Sequence, residues 1–233
     1  MKFLDTGTAR LAYRVDGPEE APVVLCIHGS WDDHHSWDGV AQRLSAYRTI
    51  RYDRRGHSLS SAPPGQGRLS EDVDDARALL DALGIHRANV IGHSYGASVA
   101  IVLAARAPER VEALFLHEPP VFGLLGGGND ADLALRAEAM ATMKRAAELL
   151  EAGETLAGAH LFIEQVAFGA GSWETLFDDH ARATILANAD TWLDQSRDPE
   201  RLAVDVGALA SFTGRVAMTT GRESLPAYPA TVR

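Results

Sequence analysis

The segment Gly92–Gly96, which reads GHSYG, places a serine between two glycines directly after a short apolar run. A serine hydroxyl attacks a carbonyl efficiently only when a positioned base, usually a histidine oriented by a carboxylate, takes its proton. Between a strand and a helix, the pattern G-x-S-x-G puts the serine on a tight turn, and the next backbone N–H can face an oxyanion. Ser94 is therefore the predicted nucleophile. An inert serine in a glycine-rich turn is the alternative.

A second segment that could take part in catalysis is His28–Ser30, which follows the apolar run PVVLCI. The backbone N–H of Ser30, paired with that of Tyr95, would give an oxyanion two donors, and Trp31 is a less favoured donor. His28 is expected to hold this loop by hydrogen bonds rather than to transfer protons. Trp31, His28 and His93 are predicted to form the wall of a substrate pocket, with His93 packed beneath the serine turn.

Over the first half of the chain, strand patterns alternate with helix patterns. These elements must position the residues named above. Such alternation predicts an α/β fold with a mostly parallel sheet and helices on both faces. His28, Asp53, Ser94 and Glu118 each stand at the carboxyl end of a predicted strand, the edge at which open α/β sheets bind ligands. Their convergence predicts one site.

The pattern changes in the second half, where helical patterns run from Asn129 to about Ser211 and a strand pattern returns only at GRVAMTTG. We therefore predict a helical cap or lid over residues 126–211, inserted in a core formed by residues 1–125 and 212–233. Residues 172–193 are predicted to form one helix. The apolar cap helices favour a small, largely hydrophobic substrate.

Four segments, in this order and spacing, resemble the α/β-hydrolase superfamily: LCIHGSWDDHHSW, RYDRRGHSLSS, VIGHSYGAS and LFLHEPP. The resemblance implies the α/β-hydrolase fold and a serine hydrolase whose triad follows the chain order serine, acid, histidine. It also implies that Asp53 and Arg54 are structural loop residues. Epoxide hydrolases and haloalkane dehalogenases of this superfamily use aspartate at the turn, so Ser94 favours acyl chemistry on an ester, thioester, lactone or activated C–C bond, or acyl transfer.

The resemblance allows two positions for the acid. After the penultimate strand, the usual aspartate position holds Ser224, with Glu223 one residue earlier. The other arrangement places the acid after the sixth strand, where Glu118 stands. Glu118 is preferred over Glu223, and a carboxylate that binds loop N–H groups is the alternative role for Glu118.

The family's histidine has no counterpart in this sequence, because the last histidine is His180, inside the predicted cap. The final strand and helix of the family pattern are also not found, so the C-terminal part of the core is predicted to be incomplete. Three explanations stay open: a truncated chain, a relocated base, or a non-catalytic descendant. The candidates for a relocated base are His34, His35, His117, His160 and His180.

The amino-acid composition argues against some classes of binding partner. The net charge of −10 argues against nucleic acid or an anionic membrane, so a small-molecule substrate is expected. The single cysteine, Cys26, lies in an apolar run and is expected to be a buried thiol. Neither a signal peptide nor a membrane span is found, which predicts a soluble cytoplasmic protein. An exposed strand edge at the incomplete end of the core favours homodimerisation.

No cofactor or metal is predicted, because adjacent residues such as Asp32, Asp33, His34 and His35 on one loop are poor chelators without further ligands. The leading hypothesis is a serine-dependent hydrolase of a small ester, thioester or lactone, with Ser94 and Glu118 as catalytic residues and the Ser30 and Tyr95 amides as oxyanion hole. The alternatives are a catalytically impaired ligand- or partner-binding protein, and an acyltransferase or lyase that uses the same site.

Overall fold

The computed structural model describes residues 1–65 and 67–232. Its strands are β1 (Lys2–Asp5), β2 (Arg10–Asp16), β3 (Val23–Ile27), β4 (Arg48–Tyr52), β5 (Ala88–His93), β6 (Val111–His117) and β7 (Arg215–Thr219). They form one sheet in the order β1-β2-β4-β3-β5-β6-β7. The β1–β2 and β2–β4 pairs are antiparallel, and every other pair is parallel.

The helices in the described ranges are α1 (Asp38–Arg43), α2 (Leu69–Ala82), α3 (Tyr95–Arg106), α4 (Asp130–Glu151), α5 (Thr155–Phe162), α6 (Ser172–Thr175), α7 (Asp179–Ala187), α8 (Ala189–Ser196) and α9 (Ala227–Thr231). The predicted mostly parallel α/β architecture is confirmed. Within these ranges, no helix combines the length and the apolar composition that crossing a bilayer requires.

Strand β3 explains why the sheet is covered on both faces. Its side chains alternate, as in any strand, yet both sets are apolar. Leu25 and Ile27 pack in the large core cluster with residues of α2 and α3. Val24 and Cys26 pack with Trp37 in a separate cluster on the opposite face. Cys26 is fully buried, as predicted, and burial raises the pKa of its thiol to about 12.

The segment between β6 and β7 contains the helices α4 to α8, which form a second hydrophobic cluster. Trp31, from the loop after β3, belongs to this cluster, so the cap helices pack directly on the carboxyl ends of the strands. The division of the chain at residues 126 and 211 stays a prediction.

The prediction of one helix over residues 172–193 is wrong, because this stretch forms α6, α7 and α8. Asp178 begins α7 as its N-cap, with its side chain accepting from the Ala181 N–H at 2.8 Å. Asn188 separates α7 from α8. Its side chain donates to the Trp31 carbonyl and accepts from the Ser58 N–H at 2.8 Å. The helix is interrupted where this side chain reaches the core loops.

Candidate active site

Ser94 lies at the turn between β5 and α3, with φ 52° and ψ −125°. A positive φ is unfavourable for serine and persists only where the surrounding structure holds it. The Ser94 N–H donates to the His117 carbonyl at 2.9 Å, and the Ser94 carbonyl accepts from the Ala97 N–H at 2.8 Å. The turn is therefore fixed to β6 on one side and to the first turn of α3 on the other.

The two glycines around Ser94 are required by the close approach of strand and helix. A Cβ atom at Gly92 would lie 2.5 Å from the Gly96 carbonyl oxygen, and one at Gly96 would lie 2.2 Å from the Ile27 carbonyl oxygen. Both separations are far below van der Waals contact. The GHSYG pattern therefore places glycines at the two positions where the strand and the helix leave no room for a Cβ atom.

The loop after β3 packs against Ser94. A Cβ atom at Gly29 would lie 3.4 Å from the Ser94 Cβ atom, so the backbone of this loop is directly beside the serine. The backbone hydrogen bonds found in the loops and helix caps of the described residues include neither the Ser30 N–H nor the Tyr95 N–H. Both predicted oxyanion donors are thus next to Ser94 in the fold and are not engaged in those bonds.

His28 supports this loop from below. It is fully buried, and its Nε2 accepts from the Arg54 N–H at 2.9 Å. Its Nδ1 therefore carries the proton and donates to the Gly29 carbonyl at 2.8 Å. Burial and the Arg54 charge hold the pKa of His28 well below its usual range, so the ring is neutral. His28 holds the loop, as expected, and does not form part of a pocket wall.

Asp53 and Arg54 hold the same loops together. The Asp53 carboxylate accepts from the backbone N–H groups of His34, at 2.9 Å, and Leu59, at 3.0 Å. The Arg54 side chain donates to the Gly29 carbonyl at 2.9 Å. Both residues are fully buried and make the structural contacts that the resemblance implied.

Trp31 and His93 line two different cavities. Trp31 is buried, stacks on Trp192 with ring centroids 5.1 Å apart, and lines a cavity of about 290 Å³. His93 lines another cavity, of about 490 Å³, with His117, Glu118 and the loop after β7. We call this second cavity the β-end crevice. His93 is therefore not packed beneath the turn as expected, because its half-buried ring faces the crevice, with Nδ1 3.5 Å from Asp32 Oδ2.

Glu118 lies at the end of β6 with φ 50°, another positive value outside glycine. Its N–H donates to the Thr219 carbonyl at 2.9 Å. Its Oε1 accepts from the Gly221 N–H at 3.1 Å and from the Ser224 hydroxyl in a short hydrogen bond. The carboxylate thus binds the loop after β7, which matches the alternative role considered for it. Glu223 is exposed on the rim of the same crevice.

Of the candidate bases, His117 shares the β-end crevice with Glu118. Its Nδ1 lies 3.0 Å from the Thr219 hydroxyl, and its ring centroid lies 5.6 Å from that of His93. Burial lowers the pKa of His117, so the ring is neutral at pH 7 and able to accept a proton.

The other candidate bases lie elsewhere. His35 and His180 line the 290 Å³ cavity beside Trp31, and His160 lines a cavity of about 980 Å³ formed by cap residues. The His34 Nδ1 lies 2.6 Å from the Asp53 carboxylate. Asp33, His34 and His35 offer ligand atoms within 4.8 Å of one another. The Asp33 oxygens already accept from the His35 N–H and the Ser58 hydroxyl, so this group does not present a set of free ligands.

Sequence reasoning missed Tyr228, which stands in α9 near the end of the chain. Its hydroxyl lies close enough to the Ser94 side chain for the serine to influence its pKa, which burial and the Glu118 charge raise. Its ring packs against Phe122 with centroids 5.4 Å apart. A lone tyrosine in LPAYPAT carries no motif, and only the tertiary fold brings it to the serine.

Comparison with known proteins gives three kinds of match. The chain matches the family model described as alpha/beta hydrolase fold over residues 22–196. The uncharacterized hydrolase YraK of Bacillus subtilis (strain 168) is 38% identical over 122 residues, which are 51% of this chain and 44% of that protein. The dihydrolipoyllysine-residue acetyltransferase component of the acetoin cleaving system of Cupriavidus necator is 32% identical over 150 residues, 64% of this chain and 40% of that protein. The chain thus spans less than half the length of these relatives.

Solved structures match over nearly the whole chain. The enol-lactonase from Burkholderia xenovorans LB400 aligns with a TM-score of 0.78 and 22% identity, covering 98% of this chain and 85% of that chain. The carboxylesterase structure from Nitrososphaera gargenis aligns with a TM-score of 0.70 and 21% identity, covering 95% and 80%. At these identities the likeness establishes the shared fold.

Proposed function

This chain belongs to the α/β hydrolase fold family, as its resemblance predicted, and on that premise we propose that it is a serine-dependent hydrolase of a small ester, thioester or lactone. The observation that carries the proposal is the conformation of Ser94. Its positive φ, its bond to the His117 carbonyl and the loop packed against its Cβ atom support the proposal, because a nucleophilic serine between a strand and a helix stands on such a turn.

In the proposed reaction, Ser94 Oγ attacks the carbonyl carbon while its proton passes to a base. The tetrahedral oxyanion accepts hydrogen bonds from the Ser30 and Tyr95 N–H groups. The bond to the leaving group then breaks, and the leaving alcohol, thiol or lactone oxygen takes the proton from the base. Water repeats these steps on the acyl-enzyme, which releases the acid and restores Ser94.

His117 is the base that we favour among the histidines of this chain. Its neutral ring and its place in the β-end crevice beside Glu118 support this role. Glu118 would stabilise the imidazolium that forms, at the cost of sharing its Oε1 with Gly221 and Ser224.

The test is covalent labelling of the intact protein with a fluorophosphonate probe, followed by mass spectrometry. We expect one adduct on Ser94 and none in Ser94→Ala. Ser98→Ala is the matched control, because Ser98 is a fully buried serine in the first turns of the same helix. It should label at the wild-type rate. A folded wild-type protein that stays unlabelled would contradict the proposal.

A ligand-binding protein without turnover is the second candidate, because the Glu118 carboxylate is bonded to the loop after β7 rather than to a histidine. Steady ester hydrolysis that disappears in Ser94→Ala would exclude this candidate. Product analysis with a competing alcohol or amine would detect acyl transfer, the third hypothesis for this site.

A further inference from the structure

A cavity of about 510 Å³ lies between α4 and the C-terminal end of α8 with the segment that follows it. Residues of α4 form one wall, and residues 196–199, 201 and 202 form the other. The β-end crevice is a different cavity and shares no lining residue with this one. We call it the α4 cavity, and it can hold a ligand of its own.

Arg201 lines the α4 cavity and differs from the other buried arginines in having no anionic partner. It is only 6% exposed, and among the described residues its guanidinium has neither an ion pair nor a hydrogen-bond acceptor. Arg51, Arg54 and Arg55, in contrast, each form an ion pair with a carboxylate. A buried charge without a partner is costly, so an anion bound beside Arg201 would relieve that cost.

Aromatic rings hold the Arg201 guanidinium in place. Its central carbon lies 4.8 Å from the Trp192 ring centroid and 5.8 Å from that of Tyr95. Ring faces attract the cation but leave its in-plane N–H donors unused. Burial lowers the pKa of Arg201 to about 10, so the group stays charged at pH 7.

The nearest acidic group on the same segment, Asp198, is committed to the backbone. Its Oδ2 accepts from the Leu69 N–H at 2.7 Å, and its Oδ1 accepts from the Glu200 N–H at 3.0 Å. The Asp198 charge acts on Arg201 electrostatically, but the two side chains form no ion pair. The donors of Arg201 therefore stay available to a ligand.

The other charged side chains of the α4 cavity are paired with one another. The Arg197 guanidinium lies 2.9 Å from the Glu151 carboxylate, and the Lys144 Nζ lies 3.8 Å from the Glu148 carboxylate. These pairs cancel in charge. Among the described residues that line the cavity, Arg201 is thus the cation that an anionic ligand would meet without displacing a protein partner.

Apolar side chains form much of the remaining wall. Met140, Met143 and Ala147 stand on α4, and Leu202 faces them from the segment after α8. Methionine side chains are flexible and polarizable, so they adapt to apolar ligands of different shape. The cavity therefore combines one unpaired buried cation with an apolar surface, the combination that binds an amphiphilic anion.

We propose that the α4 cavity binds an amphiphilic monocarboxylate, whose carboxylate pairs with Arg201 and whose apolar chain lies along Met140, Met143 and Leu202. The planar guanidinium fork matches a carboxylate in two parallel hydrogen bonds. One unpaired cation fits a monoanion better than a dianionic phosphate. Such a ligand would connect α4 with the segment after α8, and its binding does not depend on the proposed hydrolase function.

The test measures binding of straight-chain carboxylates to the intact protein by calorimetry and thermal unfolding. We expect affinity to rise from butanoate to octanoate, because each added methylene covers more of the apolar wall. Octanoate at ten times its Kd should raise the thermal unfolding midpoint by about 3 °C. Octan-1-ol, which has the chain without the charge, and inorganic phosphate, which has charge without the chain, should bind at least about tenfold more weakly.

Arg201→Met should weaken octanoate binding by about 30-fold, the effect of losing a charge-assisted pair. Arg136→Met is the matched control, because it removes the same charge from an exposed residue of α4 that does not line the cavity. Its octanoate affinity should stay within about twofold of the wild type. Arg201→Lys keeps the charge without the fork and should weaken binding by about fivefold.

A cavity-filling variant keeps the proposal testable if Arg201→Met does not fold. Ala147 is half-buried on the α4 wall, so Ala147→Phe should occlude the cavity, leave Arg201 in place and abolish octanoate binding. Octanoate binding that survives both Arg201→Met and Ala147→Phe would place the ligand elsewhere and overturn the proposal. A wild type that binds none of the carboxylates, or that binds phosphate as tightly as octanoate, would overturn it too.

Discussion

A hydrogen bond fixes the backbone of Ser94, and its side chain lies near the Tyr228 hydroxyl. The Ser94 N–H donates to the His117 carbonyl at 2.9 Å, and the serine is close enough to influence the pKa of Tyr228. A serine side chain has three staggered positions, and a bond to a buried partner selects one of them. We therefore propose that Tyr228, which belongs to a helix more than a hundred residues away in the chain, positions the Ser94 hydroxyl.

We expect Tyr228→Phe to slow fluorophosphonate labelling of Ser94 by about fivefold, the effect of losing one hydrogen bond of about 1 kcal/mol. The retained ring should keep the packing against Phe122, so the free energy of unfolding should change by less than about 1 kcal/mol. Labelling kinetics and urea denaturation measure the two effects. Faster labelling in Tyr228→Phe would instead mean that the hydroxyl obstructs Ser94.

At the scale of elements, the strand–turn–helix unit β5–α3 was predictable because residues that are adjacent in the sequence determine it. The pattern GHSYG specifies the backbone clearances around Ser94, and the apolar run before it specifies the strand. The break between α7 and α8 was not predictable. It depends on Asn188, whose partners Trp31 and Ser58 are more than a hundred residues distant in sequence. No periodicity in residues 172–193 reveals those contacts.

Gly96→Ala should destabilise the protein by about 2–3 kcal/mol, because the new Cβ atom would overlap the Ile27 carbonyl oxygen and force α3 away from β3. Urea denaturation measures the change. Gly39→Ala is the control, since Gly39 lies in α1 and its added Cβ atom would meet only the Arg43 side chain, at 3.6 Å. That change should be neutral or slightly stabilising. If Gly96→Ala and the wild type had the same free energy of unfolding, the strand and the helix could move apart without a loss of stability, which would contradict the prediction.

At the scale of the whole molecule, the sequence predicts the α/β architecture, which the structure confirms, and it proposes residues for a site. Alternating patterns predict the α/β sheet, and strand ends predict the meeting of His28, Asp53, Ser94 and Glu118 near one edge. The place of Tyr228 near the serine could not be predicted, because it depends on the packing of the last helix on the core. A single tyrosine without a motif gives no sign of such a position.

The sheet order also predicts a sequence of folding events. Strand β7 pairs with β6, yet roughly a hundred residues of cap separate them, whereas β3 to β6 are joined by shorter crossovers. Closing a longer loop costs more chain entropy, so β7 should pair late. Pulse-labelling hydrogen exchange during refolding should protect the β7 amides after those of β3, β5 and β6. Simultaneous protection of all strands would contradict this order.

The late arrival of β7 has a consequence for a newly synthesised chain. The Glu118 N–H bonds to the Thr219 carbonyl, and the Glu118 carboxylate bonds to Gly221 and Ser224, all supplied by β7 and the loop after it. Tyr228 follows this strand as well. While the ribosome still holds residues 215–232, the Ser94 turn can already form, but these contacts of Glu118 cannot. In the nascent protein, the Ser94 turn is therefore expected to form before the hydrogen bonds that hold the Glu118 carboxylate.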